Sequence, residues 1–435
     1  MTKRILLLGL LTALLLCGCS VQTVDEMYAI PKRSDDYNNL QSAIDGAMTN
    51  LSYCAPLAGE NRQPVQMADL DGDGIEEYLV FAKGTEDRPL KMLVFRQQDE
   101  TYVHTDTLES GGTAFDLVEY VQLDNKPGVE ILVGCQVSDQ VHRSMSVYTA
   151  EDQTVHQVVT ANYLKMLSVD MTGDGVHQIL LIRPGVTDTD KGVVTLYSIV
   201  NGSLERSNEV EMSQPADKIK RIVLGKLEGG GSAVYIGSTV DETTLITDVF
   251  SLREGLLTNV TLSSESGTSI KTMRNYYIYA DDIDDDGVVE LPSLIPMKPT
   301  GATSISDQQH LIRWYAMTGN GEEVDKMYTF HSFRDGWYLQ LEKALAQRLT
   351  VDILGNEYRF YLWDEGYTTP RGLLTVMIHS PQTRLEQEDA IVLSRTDTAV
   401  YTATLAPEAE QYGLTRESMI YNFRLIRLDW KTGET

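Results

Sequence analysis

The sequence predicts a mainly β fold: a β-propeller of four-stranded blades followed by a small α+β C-terminal domain. Three observations predict it. The chain resembles itself about every fifty residues, each repeat reads as four short apolar strands, and the repeat gives way near residue 342 to mixed strand and helix patterns.

The repeat shows when the acidic stretches are aligned. Gln66–Phe81 matches Leu167–Ile182 and Tyr279–Leu291, and weaker copies lie at Tyr120–Val133 and Ile222–Ile236. Their anchors at 69, 122, 170, 226 and 282 are separated by 53, 48, 56 and 56 residues. Five units are therefore detectable, and less regular segments at 21–63 and 343–435 leave room for another blade. Each unit contains an apolar strand, an acidic or Gly-rich loop, a second apolar strand and a hairpin. Asn201-Gly202 is a strong two-residue hairpin signal, with Arg253-Glu254-Gly255 and Ala150–Gln153 in matching places. The strands at 77–82, 129–134, 177–182 and 232–237 should occupy equivalent places in successive blades. An apolar blade face needs a cover, so the blades are expected to close into a ring in which each covers the next. A β-solenoid is the competing repeat architecture, but its rungs are much shorter.

The loops carry the chemistry. Asp69, Asp71 and Asp73 alternate before Gly74 and are followed by Glu77, and Asp282, Asp284, Asp286, Gly287 and Glu290 copy the spacing. Oxygens at positions 1, 3, 5 and 9, with the backbone carbonyl of Ile75 or Val288 at position 7, suit Ca²⁺, which takes several hard oxygen ligands in a flexible shell. An EF-hand would place Glu at position twelve, where Val80 and Ser293 stand, and strands rather than helices follow. At 170–178 Asp170 and Asp174 remain while Thr172 and Gln178 replace acids, which makes this a weaker candidate. At 122–130 Lys126 replaces a ligand, and at 226–234 Lys226 and Gly230 replace two, so these loops should hold their shape without metal. Solvated Asp-Gly turns are the plain alternative for the two full loops.

These units resemble the FG-GAP or VCBS-type repeats of integrin-like β-propellers over roughly residues 64 to 340. The resemblance implies two structural Ca²⁺ sites, at 69–77 and 282–290, in which the metal stiffens a blade, and it implies a function that is mostly non-enzymatic.

The N-terminus reads as an address. Lys3 and Arg4 precede a 12-residue apolar run, Ile5–Leu16, too short to span a bilayer, and Leu16-Cys17-Gly18-Cys19 follows. This resembles the lipobox of bacterial lipoproteins and implies cleavage after residue 18, lipid on Cys19, and attachment to the outer face of a bacterial membrane. Residues 19–63 then comprise the lipidated Cys, a tether and an amphipathic helix from Tyr37 to Leu51, whose Leu40, Ile44, Ala47, Met48 and Leu51 share a face and should cap the propeller at 64–342. In the domain at 343–435, strand patterns near 359–363, 373–378, 390–393 and 399–403 precede a helix that Thr415 caps and that Met419, Ile420, Phe423, Ile426 and Trp430 continue. An irregular final blade is the alternative. Cys54 and Cys135 form either a disulfide or two small buried hydrophobes.

Composition limits the function. A formal charge of −27 repels nucleic acid, so no nucleic-acid partner is expected, and the only membrane contact expected is the N-terminal lipid. The mature chain has no G-x-S-x-G, H-E-x-x-H, P-loop or C-x-x-C signature, and its seven His lack ligand spacing. Tyr276, Tyr277, Tyr279, Trp314, Trp337 and Tyr338 form either a sugar-stacking surface or a core. The reading is a non-enzymatic, calcium-supported binding or scaffold module for a protein or glycan partner. The runner-up is an enzyme acting on cell-envelope polysaccharide, with its site in the propeller channel or at the domain junction.

Overall fold

The computed structural model describes residues 35–99, 101–137, 143–151, 154–187, 189–298, 308–363, 369–382 and 390–427. The signal segment, Cys19 and Trp430 lie outside these residues.

The chain is mainly β, and its described residues form six antiparallel sheets. After helix α1 (Asp35–Ala47), the first sheet contains β1 (Ser52–Tyr53) and β2 (Val65–Ala68), both paired with β3 (Glu77–Lys83), then β4 (Leu90–Gln98) and β5 (Thr101–Ser110). The second runs in order through β6 (Ala114–Val121), β7 (Glu130–Gln136), β8 (Arg143–Glu151) and β9 (Thr154–Tyr163). The third holds β10 (Lys165–Val169), β11 (Gln178–Arg183), β12 (Val193–Val200) and β13 (Ser203–Glu211), and the fourth β14 (Ile219–Lys226), β15 (Ser232–Thr239), β16 (Leu245–Arg253) and β17 (Leu256–Asn259). The fifth is built from β18 (Glu290–Pro296), β19 (His310–Met317), β20 (Glu323–Ser332) and β21 (Trp337–Leu341). Past helix α2 (Lys343–Ala346), the sixth has β22 (Leu349–Leu354), β23 (Glu357–Leu362), β24 (Arg371–His379), β25 (Ile391–Arg395) and β26 (Val400–Leu405). Helix α3 (Arg416–Asn422) leads into β27 (Phe423–Leu425), which returns to pair with β21.

The hairpin signals fold as their chemistry requires. Asn201 and Gly202 take φ of 52° and 75° between the paired Val200 and Ser203, and Glu254 and Gly255 take 53° and 77° between Arg253 and Leu256. Two consecutive left-handed residues give a turn whose twist matches the strands it joins. The four expected apolar strands are β3, β7, β11 and β15, each second in its sheet.

These strands are buried on both faces, and period-two alternation splits each between two cores. Leu79 and Phe81 join Ile131 and Val133 in the first interface, while Leu132 meets Ile179 and Leu181 in the next. Leu180 and Ile182 then meet Val234 and Ile236, and Tyr235 meets Leu291 and Tyr315. Cys135 is buried in the first interface with Cys54 packed beside it; both are free thiols.

The outer face of the first sheet departs from the expected ring closure. Val80, Leu93 and Phe95 are covered by Leu40 and Ile44 of α1, with Met48 and Leu51 alongside. The helix thus caps the first sheet as its apolar stripe led one to expect, and it takes the place of a neighbouring sheet on that face. No buried cluster among the described residues joins the sixth sheet to the first.

The C-terminal region also differs from expectation. The expected last helix ends at Asn422, because Phe423 is extended and continues as β27, stacking on Trp337 at 5.4 Å. Thr415 does cap α3, accepting the Ser418 N–H. The largest buried cluster takes Phe330, Trp337 and Leu339 from the fifth sheet and Tyr358, Phe360 and Val376 from the sixth. The boundary expected at 342/343 therefore runs through a shared core.

Candidate metal centre

Four of the repeat loops share one construction, in which the residue opening the strand that follows the loop reaches back to the backbone seven residues earlier. Glu77 accepts the Leu70 N–H at 2.8 Å, Glu130 that of Leu123 at 2.7 Å, Gln178 that of Met171 at 2.8 Å, and Glu290 that of Ile283 at 3.1 Å. Leu70, Leu123, Met171 and Ile283 are themselves buried, so each loop is pinned by an apolar plug and a side-chain clasp. The fourth loop position is left-handed throughout: Gly72, Asn125, Gly173 and Asp285 have φ of 76°, 61°, 77° and 59°. The turn lets the first acid cap the loop. Asp69 accepts the N–H groups of Gly72 and Gly74, and Asp282 those of Asp286 and Gly287.

The structure brings Asp69, Asp71 and Glu77 together, and likewise Asp282, Asp284 and Glu290, each set offering carboxylate oxygens within 4.8 Å of one another. Asp73 and Asp286 stand outside these sets and accept the N–H groups of Ile75 and Val288, both at 2.7 Å. At the weaker loop, the Thr172 hydroxyl bonds both Asp170 and Asp174, and the Gln178 amide donates to the Val176 carbonyl at 2.8 Å. At 122–130 the Gln122 amide donates to the Lys126 and Gly128 carbonyls and accepts from Asp124 and Asn125. These two loops are tied by their own side chains.

The two acidic sets differ in charge balance. Beside Asp71 and Glu77 sits the buried Arg96, whose Nη1 lies 2.5 Å from Asp71 Oδ2 and 3.2 Å from Glu77 Oε1. Burial raises the Glu77 pKa, the Leu70 N–H and Arg96 lower it, and Asp71 and Asp73 raise it. At the second set Lys326 bonds Glu228 at 2.6 Å and Asp286 at 3.4 Å. Glu290 is fully buried, and its Oε1 has no hydrogen-bond partner among the described residues. Burial, together with Asp284, Asp286 and Asp282 and against the Ile283 N–H, pushes the Glu290 pKa up to about 8, and burial raises that of Asp284. A buried carboxylate oxygen without a donor is costly, and a hard cation would satisfy it. Asp282, Asp284 and Glu290 fit Ca²⁺ by the chemistry of their donors.

The loop spacing gave no hint of Arg96, which ends the strand stretch Leu90-Lys91-Met92-Leu93-Val94-Phe95; a second buried cation in that stretch, after Lys91, was the signal available. The spacing gave no hint of Lys326 either. The aromatic residues do not form one surface: Trp314 and Trp337 are fully buried and Tyr279 nearly so, while Tyr276 and Tyr277 are exposed. A cleft of about 360 Å³ lies against the second loop, lined by Asp284, Tyr338, Gln340, Tyr421 and Arg424 among others.

No protein-family model matches the chain, and no curated protein does. Solved structures give distant likenesses. A protein from Lactobacillus plantarum is 11% identical, covering 73% of this chain and 86% of that chain, with a TM-score of 0.30. The rhamnogalacturonan lyase YesW is also 11% identical, covering 86% and 77%, with a TM-score of 0.32. Chaetomium thermophilum Sqt1, solved bound to the N-terminus of the ribosomal protein L10, is 10% identical, covering 78% and 95%, with a TM-score of 0.29. At such scores these likenesses carry no argument about activity.

Proposed function

We propose that this chain is an extracytoplasmic binding or scaffold module, anchored by lipid on Cys19 and built as β-propeller-type units, in which Ca²⁺ held by Asp282, Asp284 and Glu290 stiffens the fifth unit. The supporting observation is the buried Glu290 Oε1, which has no donor among the described residues and is set among carboxylates that repel one another unless a cation neutralises them. The metal is structural. The adjoining cleft, where Tyr421 and Arg424 face the loop, is the surface we assign to a protein or glycan partner.

Thermal melting with Ca²⁺ or with chelator tests the reading. Ca²⁺ at a hundredfold excess over Kd stabilises by about 2.7 kcal/mol. The effect has a pH signature. Glu290 titrates near 8 in the metal-free fold against an ordinary 4.5, so the folded state binds more protons than the unfolded between those values. Metal-free stability therefore falls as pH rises through that window. Ca²⁺ competes with this proton, so its stabilisation should be small at pH 5 and large at pH 8. Equal melting temperatures with and without Ca²⁺ at pH 8 would remove the metal from the account.

A further inference from the structure

We propose that the residue across the ladder from the loop carboxylate decides what neutralises each loop: Arg96 serves loop 69–77 as a built-in cation, so that loop takes no metal, whereas Ala316 leaves loop 282–290 dependent on Ca²⁺. The inference rests on reading 282–290 as a Ca²⁺ site, and it separates two loops that look equivalent in sequence.

The strand registers carry the argument. Tyr78 pairs with Phe95, which sets Glu77 and Arg96 next to each other at the start of β3. In the fifth sheet Glu290 pairs with Ala316. Equivalent carboxylates thus face a guanidinium in one sheet and a methyl group in the other. Arg96 reaches two of the three carboxylates that would ligate a metal, and its 2.5 Å contact to Asp71 Oδ2 takes the lone pair a cation would need. It is also only 5% exposed, so burial holds it in place. Ca²⁺ wants oxygens at about 2.3 to 2.6 Å and would be repelled by a fixed guanidinium in the same cluster.

The other loops support the rule by a different route. Thr172 and the Gln178 amide tie the third loop, and the Gln122 amide ties the second. In the second loop the cross-strand neighbour Thr149 also reaches Glu130, at 3.4 Å. Among the described residues, only the 282–290 loop combines a full acidic set with a buried Glu oxygen that no guanidinium, hydroxyl or amide reaches. Lys326 bonds Glu228 and Asp286, and its charge opposes the burial that raises the Asp284 pKa, but among the described residues its ion pairs are with Glu228 and Asp286 and not with Glu290.

Equilibrium dialysis of the full chain in detergent against radioactive Ca²⁺ at pH 8 tests this by stoichiometry. We expect one Ca²⁺ per wild-type chain, two for Arg96→Ala, and none for Ala316→Arg. Asp71→Ala should keep one and Asp284→Ala none, which preserves the test should loss of Arg96 prevent folding. Two Ca²⁺ per wild-type chain, falling to one in Asp71→Ala, would overturn the role of Arg96 while leaving the 282–290 site standing. Retention of one Ca²⁺ by Ala316→Arg would overturn the role of Ala316. No Ca²⁺ on the wild type would overturn the reading of the 282–290 loop, and this inference with it.

Discussion

Trp337→Ala is expected to destabilise the protein by about 3 to 5 kcal/mol, the range for removing a large aromatic side chain from a core. Trp337 is fully buried where three stretches of chain converge. Its ring stacks on Phe423 of β27 at 5.4 Å, meets Tyr358 of β23 edge-on at 4.9 Å, and lies 5.6 Å from Phe330 of β20. Alanine would leave a cavity that strands fixed by their hydrogen-bond ladders cannot collapse to fill. Because the cluster is shared, the fifth and sixth sheets should lose stability together. Urea unfolding checks this as a lowered midpoint for both sheets. Trp337→Phe should cost much less, since it keeps the stacking and removes an indole N–H that has no acceptor among the described residues. Separate transitions in which only one sheet weakens would show that the core is not shared.

Asp248→Ala is expected to cost about 3 kcal/mol or more, because it strips a buried acceptor from four donors at once. Asp248, fully buried in β16, accepts from the Ser213 N–H at 2.8 Å and hydroxyl at 2.6 Å, from Asn259 Nδ2 at 2.8 Å and from the Ser269 hydroxyl at 2.6 Å. The carboxylate thereby ties the exit of β13 to β17 and to the segment that carries the chain toward the fifth sheet. Asp248→Asn keeps the volume but turns an N–H₂ toward donors, so it should recover little. A midpoint for Asp248→Ala within experimental error of wild type would show that the network contributes nothing.

The contrast between these sites and the loops explains what the sequence could show. The repeat, the Asn201-Gly202 turn, the Thr415 cap and the helix over Leu40 and Ile44 were legible, because each is a local pattern with its own backbone chemistry. The end of α3 was not. Phe423 keeps helical spacing with Met419 and leaves the helix only because β21 and Trp337 offer it a ladder and a ring, both distant in sequence. The acidic sets could be read from spacing, whereas their inequality could not, since it lies in the cross-strand neighbours Arg96 and Ala316. Asp248 carried no signal, as a single Asp in a strand looks like any solvated polar position until its four donors are placed around it.

In the proposed function a single loop, 282–290, holds Ca²⁺. Anomalous diffraction from crystals of the full chain grown with Ca²⁺ at pH 8 tests it most directly. The account predicts a peak among the carboxylates of Asp282, Asp284 and Glu290 and none beside Arg96 at 69–77. A featureless map at 282–290, with Glu290 Oε1 bonded to a protein donor instead, would contradict it.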